Sequence, residues 1–225
     1  MVNLIVKSFL GLAFLVAVMA LALFLSAGSL GFWQAWVFMV VWTVSVALIT
    51  AYLVRYDPKL LASRVQAGPV AETQKTQQVI QSIAALLFIG LFIVPGLDYR
   101  FHWSAVPSVV SLVADGFVAL GFFIVFLVFK ENTYTSAIIE VSESQKVISA
   151  GPYSVVRHPM YAGAGLLLLA VPFALGSWVS IPFPWPLMVV VAIRAVEEEK
   201  FLKAYLSGYE AYRQKVRYRL IPGVW

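Results

Sequence analysis

Two long stretches without a charged side chain limit what this chain can fold into. No Asp, Glu, Lys or Arg lies between Lys7 and Arg55, and none lies from Pro159 to Ile193. A helix needs about 20 mostly apolar residues to cross the hydrocarbon core of a bilayer. The first stretch is long enough for two spans and the second for two short ones. The chain is therefore predicted to be an integral membrane protein.

The composition of the chain agrees with this prediction. It is 61% hydrophobic and only 12% charged, whereas soluble domains have about half apolar and about a quarter charged residues. The absence of cysteine excludes disulfides, thiolate metal ligands and cysteine nucleophiles. Two histidines argue against a histidine-rich metal centre, so we predict no metal. The net charge of +5 is the modest excess expected of a membrane protein with basic cytoplasmic loops. We therefore predict no nucleic-acid partner.

Turn residues divide the N-terminal region, residues 1–130, into about four predicted spans. The first two should be separated at residues 26–31, which include two glycines and two serines. We predict a third span over residues 79–94, ending at Pro95-Gly96, and a fourth over residues 109–129. Asp98, Arg100 and His102 are expected in the loop between them. Asp115 is predicted to be interfacial rather than part of a proton relay.

The region 131–225 has a different pattern. Residues 138–148 alternate in part between apolar and polar, which favours an extended segment. An apolar hairpin over residues 159–193 should turn at residues 175–178. Apolar residues then recur every three to four positions from Leu202 to Val216, which predicts one amphipathic tail helix with Tyr209 and Tyr212 on its packed face. The fold prediction is an all-α membrane helical bundle of about five to six spans.

The basic residues predict the orientation of the chain in the membrane. The polar segments 55–75 and 130–158 and the tail are rich in Lys and Arg, whereas the loops near residues 28 and 98 carry one basic residue, Arg100. Basic loops face the cytoplasm. We therefore expect both termini and the segment before Pro159 on the cytoplasmic side.

One polar motif stands where the second uncharged stretch begins. It is Gly-Pro-Tyr-Ser-Val-Val-Arg-His-Pro-Met-Tyr-Ala-Gly, residues 151–163, and we call it the 151–163 motif. Pro159 suits the first turn of a helix, so a helix should begin there. The unpaired amides at a helix start attract anions. Polar groups at the edge of a membrane segment favour a ligand site.

A second polar patch follows the apolar hairpin. Because a hairpin returns its ends to one membrane face, His158 and Tyr161 are expected near Arg194, Glu198 and Glu199. Taken singly, each patch is also consistent with interfacial anchors or a solvated helix face. Together they favour a functional site.

These residues carry a resemblance to a known family. The 151–163 motif, the pattern Arg194-x-x-x-Glu198-Glu199-x-x-Leu202 and the tail from Gly208 to Pro222 resemble the isoprenylcysteine carboxyl methyltransferase family and its phospholipid-methyltransferase relatives. The resemblance runs from about Asn132 onward, and residues 131–225 would be the methyltransferase core. This chain has fewer spans than the eukaryotic enzymes.

The resemblance implies an S-adenosylmethionine-dependent methyltransferase. Carried over by position, Arg194 would face the methyl acceptor. An amine acceptor would have to lose a proton, and Glu199 is one possible base for it. Asn132 is either substrate-facing or merely a helix end. The acceptor implied is lipophilic and comes from the bilayer: an isoprenylcysteine-type carboxylate first, or a phospholipid amine or another lipid. The residues that would bind the cofactor are Gln145, Lys146, Val147, Ile148, Tyr153, His158, Pro159, Met160, Tyr161 and Glu198.

The chemistry of these side chains agrees with that assignment. S-adenosylmethionine carries a sulfonium cation, an ammonium group, a carboxylate and a ribose diol. Glu198 can accept hydrogen bonds from an ammonium or a diol, and tyrosine rings attract a cation. The helix start at Pro159 can receive a carboxylate. Arg194 can hold an acceptor carboxylate with two parallel hydrogen bonds.

Two other functions are open at this point. Membrane reductases of the sterol type carry a similar His-Pro-x-Tyr-x-Gly element for a nicotinamide cofactor, with an acidic residue directly after the glycine, but here Ala164 follows Gly163. A transporter or scaffold should carry polar residues near the middle of the membrane. The spans of this chain are almost uncharged. The oligomeric state has no sequence signal.

Overall fold

The computed structural model describes residues 2–65, 75–135 and 145–225, and in these residues it is helical without strands. The all-α prediction is confirmed. A short 3-10 turn, Gly151–Ser154, lies at the start of the 151–163 motif. The α helices are α1 Val2–Ala27, α2 Trp33–Tyr56, α3 Pro58–Val65, α4 Lys75–Phe101, α5 Ser108–Glu131, α6 Pro159–Ala174, α7 Pro184–Tyr205 and α8 Tyr209–Lys215.

The predicted membrane bundle is confirmed by the length and apolar character of these helices. Within the described residues, α1, α2, α5 and the stretch Ser82–Phe101 of α4 are long enough to cross a bilayer. Helix α6 has 16 residues and is shorter than a full span needs. It pairs with the apolar first half of α7 to make the predicted hairpin. Four of the predicted five to six spans therefore reach full length in the part of the chain described here.

The predicted end of the third span at Pro95 was wrong, because α4 continues through the proline to Phe101. Asp98 and Arg100 therefore belong to its last turns, and only His102 lies beyond it. Gly96 permits close packing of this end on α1, since a Cβ there would lie 2.7 Å from the carbonyl oxygen of Leu23. Tertiary packing outweighs the helix-breaking tendency of an internal proline.

Asp98 connects the end of α4 to the turn between α6 and α7 through hydrogen bonds. It is 1% exposed and accepts hydrogen bonds from the backbone N–H of Ser104, at 2.7 Å, and from the hydroxyls of Ser104 and Ser177. Ser177 lies in the turn between α6 and α7, at the predicted position. The carboxylate thereby holds the closed end of the hairpin, so the open end with the polar residues lies at the opposite face.

Two glycines bring α5 and α6 into direct backbone contact. A Cβ on Gly121 would lie 2.7 Å from the carbonyl oxygen of Gly163, and a Cβ on Gly163 would lie 2.9 Å from that of Gly121. Small residues allow this approach between membrane helices, where packing rather than the hydrophobic effect drives association. The contact positions the first turn of α6, and with it the 151–163 motif, against α5.

The tail is not the single amphipathic helix that the sequence predicts. Helix α7 ends at Tyr205, Gly208 adopts a left-handed conformation with φ +85°, and α8 begins at Tyr209. The turn folds α8 back, so that Leu206, Tyr209, Tyr212 and Val216 form one buried cluster. The packing expected for the two tyrosines is confirmed. The predicted extended segment 138–148 lies mostly outside the described residues, and residues 145–149 have no regular secondary structure.

Replacing Gly163 by alanine should destabilise the bundle. The added Cβ would lie 2.9 Å from the carbonyl oxygen of Gly121 and 3.1 Å from the side chain of Ile124, and overpacking of this kind costs about 1–3 kcal/mol. Gly116→Ala is the matched control, because a Cβ there meets nothing within 4 Å. Thermal unfolding in detergent should show a lower Tm for Gly163→Ala and an unchanged or higher Tm for Gly116→Ala. Equal Tm values for the two variants would show that the helices do not touch at these glycines.

Candidate active site

The 151–163 motif is held by the tail of the chain. The backbone N–H groups of Arg157 and His158 donate to the carbonyl oxygens of Tyr218 and Arg219, each at 2.9 Å. Helix α6 begins at Pro159 as predicted, and His158 at its N-cap makes no side-chain cap hydrogen bond. The amides in the first turn of a helix have no intrahelical partner. The motif thus presents a rigid helix start at the membrane edge.

A group of polar and charged side chains lies behind this helix start around the buried Glu199; we call it the Glu199 cluster, consisting of Arg157, His158, Glu199 and Arg219. Arg157 Nε lies 2.6 Å and His158 Nε2 3.3 Å from Glu199 Oε1. Arg219 Nε lies 3.0 Å from Glu199 Oε2. Arg157 also donates through Nη1 to two carbonyl oxygens of the tail, at 2.9 and 2.7 Å. Glu199 therefore joins the motif, the hairpin and the tail.

The environment of Glu199 keeps it ionised. It lies in the charged half of α7, after the apolar stretch, and is 4% exposed. Burial by itself would raise the pKa of this carboxyl, but the hydrogen bonds from His158 and Arg157 outweigh burial and lower the pKa to about 2. A carboxylate with both oxygens in ion pairs and so low a pKa is a poor proton acceptor at neutral pH. The geometry does not favour the general-base role predicted for Glu199.

Tyr161, Glu198 and Arg194 form a hydrogen-bonded chain beside the Glu199 cluster. The hydroxyl of Tyr161 donates to Glu198 Oε2 at 2.7 Å, and Arg194 Nε donates to the same hydroxyl oxygen at 3.1 Å. The His158 and Tyr161 rings stack with their centroids 5.5 Å apart, and His158 Nδ1 lies 3.9 Å from Glu198 Oε2. The predicted approach of the two ends of the hairpin is confirmed by these distances.

These side chains line a cleft between the motif, the C-terminal half of α7 and the tail. Its free volume is about 90 Å³. Every predicted cofactor-binding residue lines it, as do Asn132 and Arg194, whereas Glu199 does not. The structure thus brings the predicted residues together, and their individual roles stay predictions. The cleft is lined by Asn132, Tyr134, Thr135, Gln145, Lys146, Val147, Ile148, Tyr153, Arg157, His158, Pro159, Met160, Tyr161, Arg194, Glu198, Leu202, Leu206, Tyr209 and Tyr212.

Asn132 is the C-cap of α5 and positions Tyr153 in the cleft. Its Nδ2 donates to the hydroxyl oxygen of Tyr153 at 2.9 Å, and its Oδ1 accepts from the backbone N–H of Tyr134 at 2.9 Å. Burial raises the pKa of Tyr153, so the phenol is neutral. Asn132 is therefore a helix end that is also part of the cleft wall, and its contact with substrate stays a prediction.

Arg64 reaches this site from α3, and sequence reasoning did not single it out. Its Nη1 lies 3.8 Å from the sulfur of Met160, and its guanidinium lies over the ring of Phe129, 5.2 Å from the centroid. Ninety-six positions separate Arg64 from Met160. Arg64 lies outside the motifs that carry the family resemblance, so no local pattern could have indicated it. Thr135 and Leu206 were likewise missed as wall residues.

The chemistry of the cleft fits S-adenosylmethionine. Glu198 offers carboxylate oxygens for an ammonium or a diol, and tyrosine rings at positions 153 and 161 offer faces to a cation. The free amides at the start of α6 suit a carboxylate.

Comparison with known proteins supports a methyltransferase assignment for part of the chain. Residues 109–207 match the family model described as Phospholipid methyltransferase. The matched segment includes nearly all of α5, then α6 and α7, and contains the 151–163 motif, Arg194 and Glu198. No curated protein matches the chain. The match confirms, over these residues, the resemblance to membrane methyltransferases that the motifs predicted.

The Glu199 cluster should make the stability of the fold pH-dependent in the acid range. The pKa of Glu199 is about 2 in the folded chain against an ordinary value of 4.5. Its ionised form therefore stabilises the fold fully above about pH 4.5, by about 3 kcal/mol, and this stabilisation disappears as the pH falls towards 2. The Tm difference between wild type and Glu199→Gln should be large at neutral pH and shrink at acid pH.

Glu197→Gln is the matched control for this experiment. Glu197 lies on the same helix and pairs with Lys200 at the surface, at 2.7 Å, where an ion pair contributes little. Its Tm should stay close to that of the wild type throughout the titration. A Tm difference for Glu199→Gln that is small at neutral pH would contradict the structural role of the cluster.

Proposed function

We propose, from the match of residues 109–207 to the phospholipid methyltransferase family and from the cleft, that this chain is an S-adenosylmethionine-dependent membrane methyltransferase with a lipophilic acceptor. One observation carries the proposal. Glu198, Tyr161 and Arg194 form one hydrogen-bonded chain in a cleft at the end of an apolar hairpin. A polar donor site and a cationic acceptor site thus adjoin at the edge of the membrane.

Glu198 is the proposed anchor for the donor. Its side chain is 29% exposed. One carboxylate oxygen accepts a hydrogen bond from the Tyr161 hydroxyl at 2.7 Å. The carboxylate has further acceptor positions for a ligand. Residues 145–148 line the same cleft. When bound, the cofactor supplies a methyl group on a sulfonium. The residues around it bind, orient and exclude water, because positioning donor and acceptor in line accounts for most of such a transfer.

Arg194 is the proposed contact for the acceptor. It is the first charged residue after the uncharged stretch that begins at Pro159, so its guanidinium lies where a lipid head group from the bilayer would meet the cleft. Its Nε bond to Tyr161 orients the guanidinium fork. A fork of this kind matches a carboxylate with two parallel hydrogen bonds.

Among the acceptors that the sequence leaves open, we favour a carboxylate of the isoprenylcysteine type. A carboxylate is a nucleophile at neutral pH without losing a proton, whereas an amine needs a base. Glu199, the predicted base, has its oxygens in ion pairs and a pKa of about 2. Methyl transfer to a carboxylate oxygen therefore needs no general base in this cleft.

The proposed orientation follows the basic residues. The cleft, α8 and the charged half of α7 lie at one end of the bundle with Arg64 and Lys130, and this end carries most of the positive charge. The positive-inside rule assigns it to the cytoplasm. The donor then enters from the cytoplasm and the acceptor from the bilayer.

Binding of S-adenosylmethionine to the detergent-purified protein, measured by calorimetry, tests this proposal. We expect saturable binding that Glu198→Gln weakens about tenfold or more, because a hydrogen bond to a charged group contributes about 1.5–3 kcal/mol. His158→Ala should also weaken it, since the His158 ring stacks on Tyr161. Glu197→Gln, which removes a surface carboxylate one residue away, should bind like the wild type.

The outcome that contradicts the proposal is specific. Saturable binding of NADPH without binding of S-adenosylmethionine would assign the cleft to the reductase class. Binding of neither ligand by a folded wild type would leave the motif with a structural role only.

A further inference from the structure

The tail turns back on itself behind the Glu199 cluster. The carbonyl oxygen of Trp225 accepts hydrogen bonds from three consecutive backbone N–H groups, those of Arg219, Leu220 and Ile221, at 2.8, 2.9 and 3.1 Å. The backbone N–H of Trp225 donates in return to the carbonyl oxygen of Ile221 at 3.1 Å. Successive N–H groups that converge on one oxygen form a tight concave turn. This turn brings Trp225 next to Arg219.

The Trp225 ring lies against the guanidinium of Arg219. The Cζ atom of Arg219 is 5.2 Å from the ring centroid. A cation within about 6 Å of an aromatic centroid is attracted to the ring, and tryptophan attracts it most strongly. The ring also lines a surface groove with Ala192, Ile193 and Val196 of α7. Trp225 is therefore placed between α7 and the guanidinium.

Arg219 carries this contact into the site. Its Nε donates to Glu199 Oε2 at 3.0 Å. The Arg219 side chain is 27% exposed, whereas that of Arg157, which pairs with the other oxygen of Glu199, is 6% exposed. An arginine side chain has large rotamer freedom. The more exposed arginine therefore gains more from an aromatic ring that restricts its position.

We propose that Trp225 is a positioning residue of the donor site. Its ring holds the guanidinium of Arg219 on Glu199, and this contact keeps the start of α6 in place for the cofactor. Trp225 lies outside the cleft lining, so it acts through Arg219. Its effect on donor binding rests on the proposed function, whereas its contact with Arg219 does not.

The path from Arg219 to the cleft runs through His158. The backbone N–H of His158 donates to the carbonyl oxygen of Arg219 at 2.9 Å, and its Nε2 lies 3.3 Å from Glu199 Oε1. The His158 ring stacks on Tyr161, and its Nδ1 lies 3.9 Å from Glu198 Oε2. A shift of Arg219 would therefore move the groups that are proposed to bind the donor.

Calorimetry with S-adenosylmethionine on the detergent-purified full chain tests the effect on the site. Trp225→Leu keeps an apolar side chain without an aromatic face, and Trp225→Phe keeps a weaker face. We expect the dissociation constant to rise from wild type to Trp225→Phe to Trp225→Leu, with the last at least about threefold above wild type. Val224→Ala, which shortens a neighbouring side chain that is 76% exposed, should bind like the wild type.

A double-mutant cycle shows whether the ring acts through the guanidinium. In the Arg219→Gln background the ring has no cation to hold, so Trp225→Leu should change the affinity by less than about 1.5-fold. Losses that multiply in the double variant would show that the ring contributes packing alone and would overturn the inference. The Tm of each variant in detergent checks folding. If Trp225→Leu unfolds, the same cycle with Trp225→Phe decides between the two results.

Hydrogen exchange gives a second measurement that needs no ligand. The amides of Arg157 and His158 donate to carbonyl oxygens of the tail, so they exchange when the tail opens locally. Mass spectrometry of peptides covering residues 155–160 should show at least about threefold faster exchange in Trp225→Leu. Exchange should be unchanged in Val224→Ala. In the Arg219→Gln background, Trp225→Leu should add nothing.

The outcomes distinguish this inference from the proposed function. Unchanged exchange in Trp225→Leu, or faster exchange with unchanged affinity for S-adenosylmethionine, would overturn the positioning role and leave the proposed function intact. A wild type that binds no S-adenosylmethionine would contradict the proposed function. Coupled effects of Trp225 and Arg219 on exchange in that protein would still support the contact between ring and guanidinium.

Discussion

The buried ion cluster around Glu199 is the interaction on which the rest of the site depends. A carboxylate that is 4% exposed is tolerable only because Arg157, Arg219 and His158 surround it. These partners come from the 151–163 motif and from the tail, whereas Glu199 itself comes from α7. The cluster therefore holds three segments together at the membrane edge. Its neighbour on α7, Glu198, points into the cleft and remains available for a ligand.

The neighbouring carboxylates of Glu198 and Glu199 therefore have different roles. Glu199 stabilises the wall, and Glu198 lines the space that the wall encloses. His158 lies between them, with Nε2 3.3 Å from Glu199 and Nδ1 3.9 Å from Glu198. At the other end of the bundle, Asp98 holds the closed turn of the hairpin through Ser104 and Ser177. Both ends of the hairpin are therefore tied by a buried carboxylate, which keeps the cleft rigid relative to the spans.

The sequence predicted the parts of this structure that depend on local pattern. The lack of charge marked the membrane helices, Pro159 marked the start of α6, and the hairpin placed His158 near Glu198. It failed where tertiary packing decides: Pro95 lies inside α4, and Gly208 breaks the predicted tail helix in two. It also missed Arg64, because a contact between residues 96 positions apart has no local signal. The different tasks of Glu198 and Glu199 depend on ion pairs that only the fold brings together.

Transfer of a labelled methyl group from S-adenosylmethionine to lipid is the decisive test of the proposed activity. Membranes that contain the full chain would be incubated with methyl-tritiated S-adenosylmethionine and then extracted with organic solvent. We expect label in the lipid extract with the wild type and with Glu197→Gln, and almost none with Glu198→Gln. Label that is absent with a folded wild type, or equal in Glu198→Gln, would contradict methyl transfer from this cleft to a lipid acceptor.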